Sequence, residues 1–283
     1  EAEHGGFYAA EVHDLYRLQS LEVEIIGGGP EAPVIQRVAT GAVEFGVTNA
    51  DDVLNARAQE APVVALMAPY QINPRCIMVH SASGIERIGD IGNITMALSQ
   101  RPAFSHYLQK KYPFPGVKLV PYPGNVTQFL LDPNFAQQAY VFSEPFVARR
   151  QGADPRALLV SDTGFNPYAS VLIATEETIS KRPDLVRAVT RATVEGWRIY
   201  LDNPAKTNAH IHRLNPEMGL DILDFGARES SPLVLDEVAE KNGIGHMSRE
   251  RWQILRDQMI EAELIEPGAI DVDRAFSTRF LGE

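Results

Sequence analysis

Cysteine is almost absent from this chain of 283 residues, which contains only Cys76. A single cysteine excludes an intrachain disulfide and a cysteine-rich metal site. Cys76 lies in the apolar run 75–79, where a small buried core residue is the expected role. One cysteine is compatible with the cytoplasm and with an exported protein that lacks disulfides, so cysteine usage does not decide the compartment.

Long apolar segments are absent as well. No segment approaches the ~18 consecutive apolar residues that a membrane-spanning helix requires. With 45% apolar and 22% charged residues, the chain has the composition of an ordinary globular protein with a sizeable core. It has no initiator methionine and starts within a motif, which predicts that a leader segment has been removed.

Positive charge is scarce. Lysine and arginine total 26 against 37 aspartates and glutamates, so the formal net charge is −11. This balance argues against a nucleic-acid partner, which requires clustered positive charge. No lysine precedes Lys110, so the first third of the chain cannot supply a Schiff-base lysine.

Catalytic motifs are also missing. Neither HExxH nor GxSxG occurs, and the seven histidines are dispersed. Only His210 and His212 are close together, and their i,i+2 spacing on a helix directs them to different faces. The sequence therefore predicts a binding protein rather than an enzyme, without catalytic residues, metal or cofactor.

The opening of the chain contains its most informative pattern. Residues 4–8 read His-Gly-Gly-Phe-Tyr and lead into a predicted helix, and residues 27–30 read Gly-Gly-Gly-Pro after a predicted strand. This layout directs helix N-termini and aromatic side chains toward one crevice, which suits a small, planar, polar ligand. The second glycine run lacks the spacing of a dinucleotide-binding fingerprint.

Helix and strand patterns alternate along most of the chain, which predicts an α/β fold with mixed, mostly parallel sheets. Strands are predicted at 21–26, 43–47, 62–67, 75–80, 94–97, 117–121, 138–142, 157–160 and 169–174. Helices are predicted at 6–17, 33–40, 51–58, 103–111, after residue 125, at 145–150 and at 184–201. Beyond residue 204 the chain is expected to be helical, with Trp252, Ile254 and Leu255 as packing anchors.

This alternation predicts two lobes. The first lobe is expected to combine residues 1–80 with 170–283, and the second to contain residues 81–169. Crossings near 80–84 and 165–170 would make a hinged clamshell, with a ligand between the lobes at the carboxyl ends of the strands.

Several stretches resemble periplasmic substrate-binding proteins related to thiamine-pyrimidine synthase and to the pyrimidine-precursor receptors of ABC importers. They are His-Gly-Gly-Phe-Tyr at 4–8, Gly-Ala-Val-Glu-Phe-Gly-Val at 41–47, Ser-Glu-Pro at 143–145, Pro-Asp-Leu-Val at 183–186, Gly-Trp at 196–197 and Asn-Pro at 203–204. The resemblance covers about residues 1–205 and implies a two-lobed type II periplasmic-binding fold that closes over its ligand.

The chain departs from that family in two respects. Family members begin with a strand ahead of the His-Gly stretch, and this chain begins after it. Synthase members carry a cysteine-rich iron site and a cofactor lysine in the first lobe, whereas this chain has one cysteine and no early lysine. It therefore resembles the transport branch.

The candidate ligand-binding residues of the first lobe stand near glycine turns or between a strand and a helix. They are His4, Phe7, Tyr8, Gly28, Asn49, Asp51 and Gln71. Phe7 lies off the apolar stripe of the first helix, which favours stacking against a flat ring. Tyr8 lies on that stripe, so core packing is an equal alternative. His4 is equally compatible with a surface position, and Gly28 with a tight turn.

Asn49 and Asp51 precede a predicted helix. One of them is expected to cap it, which leaves the other free for a ligand amine. Gln71 lies in the loop before the strand at 75–80, from which it can reach into the cleft.

The candidates of the second lobe and of the second crossing also follow strands. They are Ser99, Gln100, Tyr122, Asn125, Glu144 and Tyr168. Glu144 is the strongest candidate because it stands between a strand and a helix, although an interaction with the helix dipole also explains a carboxylate there. Tyr168 lies at the second crossing, where it can close over a ligand.

The expected function is the substrate-binding component of an ABC importer that captures a small heteroaromatic, such as a pyrimidine-type vitamin precursor, by hinge closure. The expected partners are this ligand and a membrane permease, and the protein is expected to be a monomer. The expected location is the periplasm or another extracytoplasmic space, with or without a lipid anchor. The alternatives are an enzyme on the same fold related to thiamine-pyrimidine synthesis, and a ligand-sensing module.

Overall fold

The computed structural model describes residues 1–29 and 32–282. Its strands are β1 (Gly46–Thr48), β2 (Val63–Met67), β3 (Arg75–His80), β4 (Thr95–Leu98), β5 (Lys118–Pro121), β6 (Phe135–Tyr140), β7 (Pro155–Leu159) and β8 (Val171–Thr175). Its helices are α1 (Gly5–Val12), α2 (Leu15–Leu18), α3 (Val34–Ala39), α4 (Ala50–Ala58), α5 (Ala103–Lys111), α6 (Thr127–Leu131), α7 (Glu144–Arg150), α8 (Glu176–Lys181), α9 (Pro183–Asp202), α10 (Ala205–Leu214), α11 (Leu220–Val234), α12 (Glu237–Asn242) and α13 (Arg249–Glu261).

The strands form two sheets. Their strand orders are β1-β8-β2 and β5-β4-β6-β3-β7. The return of β8 to the first sheet confirms the prediction for residues 169–174. The prediction that the strand at 75–80 closes the first block is wrong, because β3 pairs with β6 on one side and β7 on the other. The first crossing therefore precedes Arg75 instead of following His80, and the remaining boundaries of the two lobes stay a prediction.

The sheets are mixed, as predicted, but parallel ladders are the minority. β4 pairs in parallel with β5 and β6, whereas the other four ladders among the described strands are antiparallel. The expectation of mostly parallel sheets is therefore wrong. The reason lies in β3 and β8, because each follows a crossing and enters its new sheet between two strands that run the opposite way.

The segment 21–26 shows the predicted alternation without becoming a strand. Leu21, Val23 and Ile25 are half-buried against the core, and the side chains between them are exposed. The segment forms no ladder with any described strand, so the strand prediction is wrong here. Alternation fixes which side chains face the core, but a strand also needs an adjacent strand that completes its hydrogen bonds.

The first predicted helix is divided in two. Asp14 has the left-handed φ of 58°, which ends α1 before it and lets α2 begin after it. The glycines of the opening motif bring α1 onto α9 at close range. A Cβ at Gly6 would lie 2.2 Å from Trp197 Cγ, and a Cβ at Gly196 would lie 2.3 Å from the Gly6 carbonyl oxygen. These glycines therefore serve helix packing.

The helical tail packs against the strand-bearing part of the chain. Trp252 and Leu255 are buried as predicted, but Ile254 is 48% exposed, so its role as a packing anchor is wrong. The buried residues Trp252, Leu255 and Met259 recur every three to four positions on one face of α13, and Ile254 lies off that stripe. In the described parts of the chain, no helix combines the length and apolarity that crossing a membrane requires.

Candidate functional site

Two segments cross between the sheets, residues 68–74 before β3 and residues 160–170 before β8. Beside both crossings lies a cavity of about 10 Å³, the least space that one water molecule requires. We call it the cleft cavity; its lining residues are Asn49, Asp51, Asn73, Arg75, Phe104, Val160, Phe165 and Pro167. Its walls come from elements that flank both sheets.

The start of α4 supplies one wall. Asn49 is the N-cap residue of α4, and its backbone N–H donates to Asp52 Oδ2 at 3.3 Å. Asp52 also accepts from Thr48 Oγ1 at 2.8 Å, and Asn49 Oδ1 accepts from the Ser170 N–H at 3.4 Å. Asn49 therefore occupies the capping position, which is one of the two arrangements expected from the sequence. Asp51 makes no hydrogen bond to another described side chain and faces the cavity.

Arg75 supplies the positive charge of the site. It begins β3, and its Nη2 donates to Tyr140 Oη at 2.7 Å. The guanidinium carbon lies 4.4 Å from the centroid of the Phe104 ring and 5.0 Å from that of the Tyr140 ring. These cation–π contacts fix the guanidinium plane between two aromatic side chains. Asp51 and Glu3 act on Arg75 through their charges, without a direct ion pair.

Glu144 is held rigidly at the start of α7. Its Oε1 accepts from Tyr122 Oη at 2.6 Å, and its Oε2 accepts from the Tyr140 backbone N–H at 2.9 Å. Burial and then the Glu144 charge raise the pKa of Tyr122, so the tyrosine stays protonated and donates. Because Tyr140 contacts both Arg75 and Glu144, the two charged groups share one neighbourhood.

Several carboxyl groups, but only the one guanidinium of Arg75, are described around this site. Burial, followed by the charge of Asp52, raises the pKa of Asp51 to about 7, although Arg75 opposes the shift. Burial also raises the pKa of Glu3, whose Oε1 accepts from Ser170 Oγ at 3.3 Å. In both cases burial is the first cause, and it disfavours the ionised form of the carboxyl group.

Two of the predicted residues, Asn49 and Asp51, line the cleft cavity. Tyr122 and Glu144 are not among its lining residues, and Tyr140 links them to Arg75. Three others of the second lobe have local roles. The Ser99 backbone N–H donates to Gln138 Oε1 at 2.6 Å, Gln100 is exposed, and Asn125 forms an exposed turn by accepting from the Thr127 N–H.

Gln71 and Tyr168 lie on another side of the crossings. Gln71 is 1% exposed, and its Nε2 donates to the His246 carbonyl at 2.9 Å. Tyr168 is buried against Trp252, and its hydroxyl accepts from the Ser248 N–H at 3.0 Å. In this conformation both side chains hold the crossings to the helical tail.

A second cavity of about 320 Å³ adjoins Gln71. We call it the hinge cavity; its lining residues are Gln71, Ile72, Gly164, Asn166, Asp236, Val238, Arg251, Ile254, Leu255 and Gln258. Arg251 donates to the Asn166 carbonyl from Nε at 3.0 Å and from Nη2 at 2.8 Å, and it lies over the Tyr168 ring. Its guanidinium therefore links α13 to the second crossing.

The predicted residues of the opening motif are distributed between core and surface. Phe7 is buried with its ring edge-on to Trp197, and Tyr8 is half-buried beside His210. His4 is half-buried near Phe7, and burial lowers its pKa to about 4. Gly28 is exposed, and only Ala32 lies near the position of a Cβ there.

Sequence reasoning missed Arg75, Glu3 and Phe104 as site residues. A signal for Arg75 was present, because an arginine that begins the otherwise apolar run 75–79 requires an acceptor or a solvent path. The other two carried no signal, since their positions depend on tertiary contacts. Among the described residues, no group of three or more metal-ligating side chains is arranged to hold a metal ion.

Comparison with known proteins identifies the family of this chain. The model of the NMT1/THI5 like family matches residues 1–207. The riboflavin-binding protein RibY of Chloroflexus aurantiacus is 27% identical, over 97% of this chain and 81% of that protein. The formylaminopyrimidine-binding protein of Halalkalibacterium halodurans is 22% identical, over 98% of this chain and 86% of that protein.

Among solved structures, the periplasmic aliphatic sulphonate binding protein SsuA of Escherichia coli matches with a TM-score of 0.72 and 16% identity. The match covers 97% of this chain and 89% of SsuA, and at this identity it shows the fold alone. The fold is that of the two-lobed periplasmic binding proteins, and the relatives named as binding proteins support a substrate-binding role. Since the family model covers well over half of its residues, the chain belongs to the NMT1/THI5 like family.

Proposed function

We propose that this protein is the substrate-binding component of an ABC importer and that it captures a small heteroaromatic molecule of the pyrimidine type in the cleft cavity. The observation that carries the proposal is the composition of that site. Asp51 and Arg75 face one cavity beside the aromatic rings of Phe104 and Phe165. Such a site offers hydrogen bonding to the edge of a flat ring and apolar contact to its faces.

The electrostatics favour a ligand with N–H donors over an anion. Asp51 and Glu3 act on the Arg75 guanidinium through their charges, and a sulfonate or phosphate would add negative charge to this partly buried group. The shared fold with SsuA therefore does not extend to a shared ligand class. Hydrogen bonds to ionised groups are stronger than neutral ones, so N–H groups that meet these carboxylates favour binding.

The ligands named for the two relatives agree with this chemistry. Riboflavin contains a pyrimidinedione ring, and formylaminopyrimidine is itself a pyrimidine, so the two share a flat ring with polar edges. We assign Asn49, Asp51 and Glu144 to hydrogen bonding of such a ring. The other predicted contacts stay a prediction, and they are His4, Phe7, Tyr8, Gly28, Gln71, Ser99, Gln100, Tyr122, Asn125 and Tyr168. Those that lie away from the cavity would have to approach the ligand in the open form.

Binding is proposed to shift an equilibrium between open and closed lobes. A cavity of about 10 Å³ does not admit a heterocycle, so the ligand requires the lobes to separate first. A ligand that contacts α4 in one lobe and α5 in the other, where Asp51 and Phe104 line the cavity, favours the closed form through its differential affinity. We propose that a membrane permease recognises the closed form outside the cytoplasmic membrane. We also propose that the binding protein is a monomer and performs no catalysis.

A thermal-shift screen tests this function. Pyrimidines, flavins, purines, amino acids and alkanesulfonates are added to the protein, to Glu144→Ala and to Glu217→Ala, an exposed control. A hundredfold excess over the dissociation constant stabilises a protein by about 2.7 kcal/mol. We expect a heteroaromatic to raise the melting temperature of the wild type and the control, and to have less effect on Glu144→Ala.

Two results would contradict the proposal. If alkanesulfonates alone raise the melting temperature, the cleft binds anions. Conversion of a bound heteroaromatic into a product, detected by mass spectrometry, would identify an enzyme on this fold. A shift of equal size in Glu144→Ala would remove Glu144 from the ligand contacts.

A further inference from the structure

Arg75 enters the cleft cavity with most of its hydrogen-bonding capacity unused. A guanidinium has five N–H bonds and remains protonated in proteins. Hydrogen bonds to described residues use one of the five, the bond from Nη2 to Tyr140 Oη. The aromatic contacts with Phe104 and Tyr140 hold the plane of the group but accept no conventional hydrogen bond. The remaining donors require acceptors from whatever occupies the cavity.

Asp51 presents the opposite need at the same cavity. Its carboxyl group accepts from the backbone N–H groups of Asp51 and Asp52 but makes no hydrogen bond to another described side chain, whereas that of Asp52 accepts from Thr48 and Asn49. Two adjacent acids in the first turn of α4 are thus divided between capping and the cavity. An occupant that offers an N–H to Asp51 satisfies this carboxyl group.

Together, Asp51 and Arg75 select the charge of the occupant. A cationic ring would stand against the Arg75 guanidinium, and an anionic one would stand against Asp51 and Glu3. An uncharged ring avoids both penalties if it carries an acceptor and a donor side by side. A carbonyl oxygen next to an N–H, as in a lactam or an imide, is such an edge.

We infer that Arg75 and Asp51 read a carbonyl oxygen and an adjacent ring N–H, so that the substrates are neutral heteroaromatics with a lactam or imide edge. This inference rests on the proposed function and narrows its ligand class. It assigns Arg75 as a specificity residue, with Phe104 and Tyr140 as positioning residues for its guanidinium. Aminopyrimidines without a ring carbonyl are expected to bind more weakly.

Calorimetric titration with matched probes tests the inference. The probes are riboflavin and uracil, each compared with its N3-methyl derivative, together with 4-amino-2-methylpyrimidine, which has no ring carbonyl. The proteins are the wild type, Asp51→Ala, Arg75→Met, Arg75→Lys and the control Glu217→Ala, with folding verified by circular dichroism. Glu217 is exposed and is not among the residues that line the cavity.

The inference predicts that N3-methylation weakens binding to the wild type about ten- to hundredfold, which is the value of one hydrogen bond to a charged group. Asp51→Ala is expected to lose this discrimination, whereas Glu217→Ala keeps it. Arg75→Met is expected to weaken the unmethylated probe by a similar factor, and Arg75→Lys is expected to recover part of the loss.

The outcomes separate the inference from the function on which it rests. If heteroaromatics bind but methylation has no effect, or if 4-amino-2-methylpyrimidine binds best, the lactam edge is wrong and the receptor function stands. If discrimination survives in Asp51→Ala, the assignment to Asp51 is wrong. If no heteroaromatic binds the wild type, the proposed function and the inference both fail.

Discussion

Tyr122 and Glu144 are joined by a hydrogen bond of 2.6 Å from the tyrosine Oη to the carboxylate Oε1. The second carboxylate oxygen accepts from the backbone of Tyr140, which pairs with Arg75 across β6 and β3. One carboxylate therefore connects the loop after β5, the end of β6 and the start of α7. These hydrogen bonds occupy both oxygens of the Glu144 carboxylate and hold it in one position.

Removing the hydroxyl in Tyr122→Phe is expected to lower the free energy of unfolding by about 1–3 kcal/mol, because a partly buried carboxylate loses its donor. Urea denaturation at pH 7 measures this change. Tyr112→Phe is the control, since the Tyr112 hydroxyl has no hydrogen-bond partner among the described residues, and a change within about 0.5 kcal/mol is expected there. Equal effects in both variants would show that the hydrogen bond contributes nothing.

The close contact between α1 and α9 predicts that the effect of a glycine-to-alanine substitution on stability depends strongly on its position. Gly6→Ala places a Cβ 2.2 Å from Trp197 Cγ, so the helices must separate, and overpacking of this kind costs about 1–3 kcal/mol. Gly27→Ala meets no atom within 4 Å and is expected to be neutral or slightly stabilising. Thermal melts of both variants measure the difference. A Gly6→Ala protein as stable as Gly27→Ala would contradict the close packing of the two helices.

The raised pKa of Asp51 predicts a pH dependence of the free energy of unfolding, and Asp51→Asn is expected to remove it. Its pKa rises from 3.8 in the unfolded chain to about 7 in the folded protein. Between these values the folded state binds a proton that the unfolded state has released, so wild-type stability falls as pH rises from about 4 to about 7. Above pH 7 both states are ionised and the loss is complete. The loss is about 1.4 kcal/mol for each pKa unit.

Urea denaturation of both proteins across pH 4–8 measures this effect as a difference. His4 acts in the opposite direction, because its pKa is lowered to about 4 and its contribution is lost as pH falls below 6.5. Since His4 is present in both proteins, its effect cancels. The variant should gain stability over the wild type as pH rises toward 7, and a constant difference across the range would contradict the burial of the Asp51 carboxyl group.

Sequence patterns predicted the elements of this fold well and their arrangement less well. Local signals sufficed for α4, where Asn49 is the N-cap residue, and for α9, whose apolar stripe gave bounds of 184–201 against the observed Pro183–Asp202. The sheet membership of β3 could not be read locally, because it depends on partners that are distant in the chain. The same reason explains why the alternating segment 21–26 failed as a strand prediction.

The site divides in the same way. Asp51 was chosen because it stands between a strand and a helix, and it lines the cleft cavity. Glu144 was chosen on the same ground and does not line that cavity, so both stay predicted ligand contacts. For Arg75 the sequence offered only an arginine at the start of an apolar run, and its place at the cavity follows from the crossing that brings β3 into the second sheet. Tyr168 was predicted to face the ligand from its position in the chain, whereas its contacts with Trp252 and Ser248 follow from where the tail packs.

Hydrogen exchange measured by mass spectrometry, with and without saturating riboflavin, tests whether the ligand binds in the cleft cavity. Uracil replaces riboflavin if the flavin does not bind. Binding there is expected to slow exchange in α4 and at the start of α5, which carry Asp51 and Phe104 of the cavity lining, with little change in α13. Protection confined to α13 and to residues 164–166 would place the ligand in the hinge cavity instead and would contradict binding in the cleft cavity.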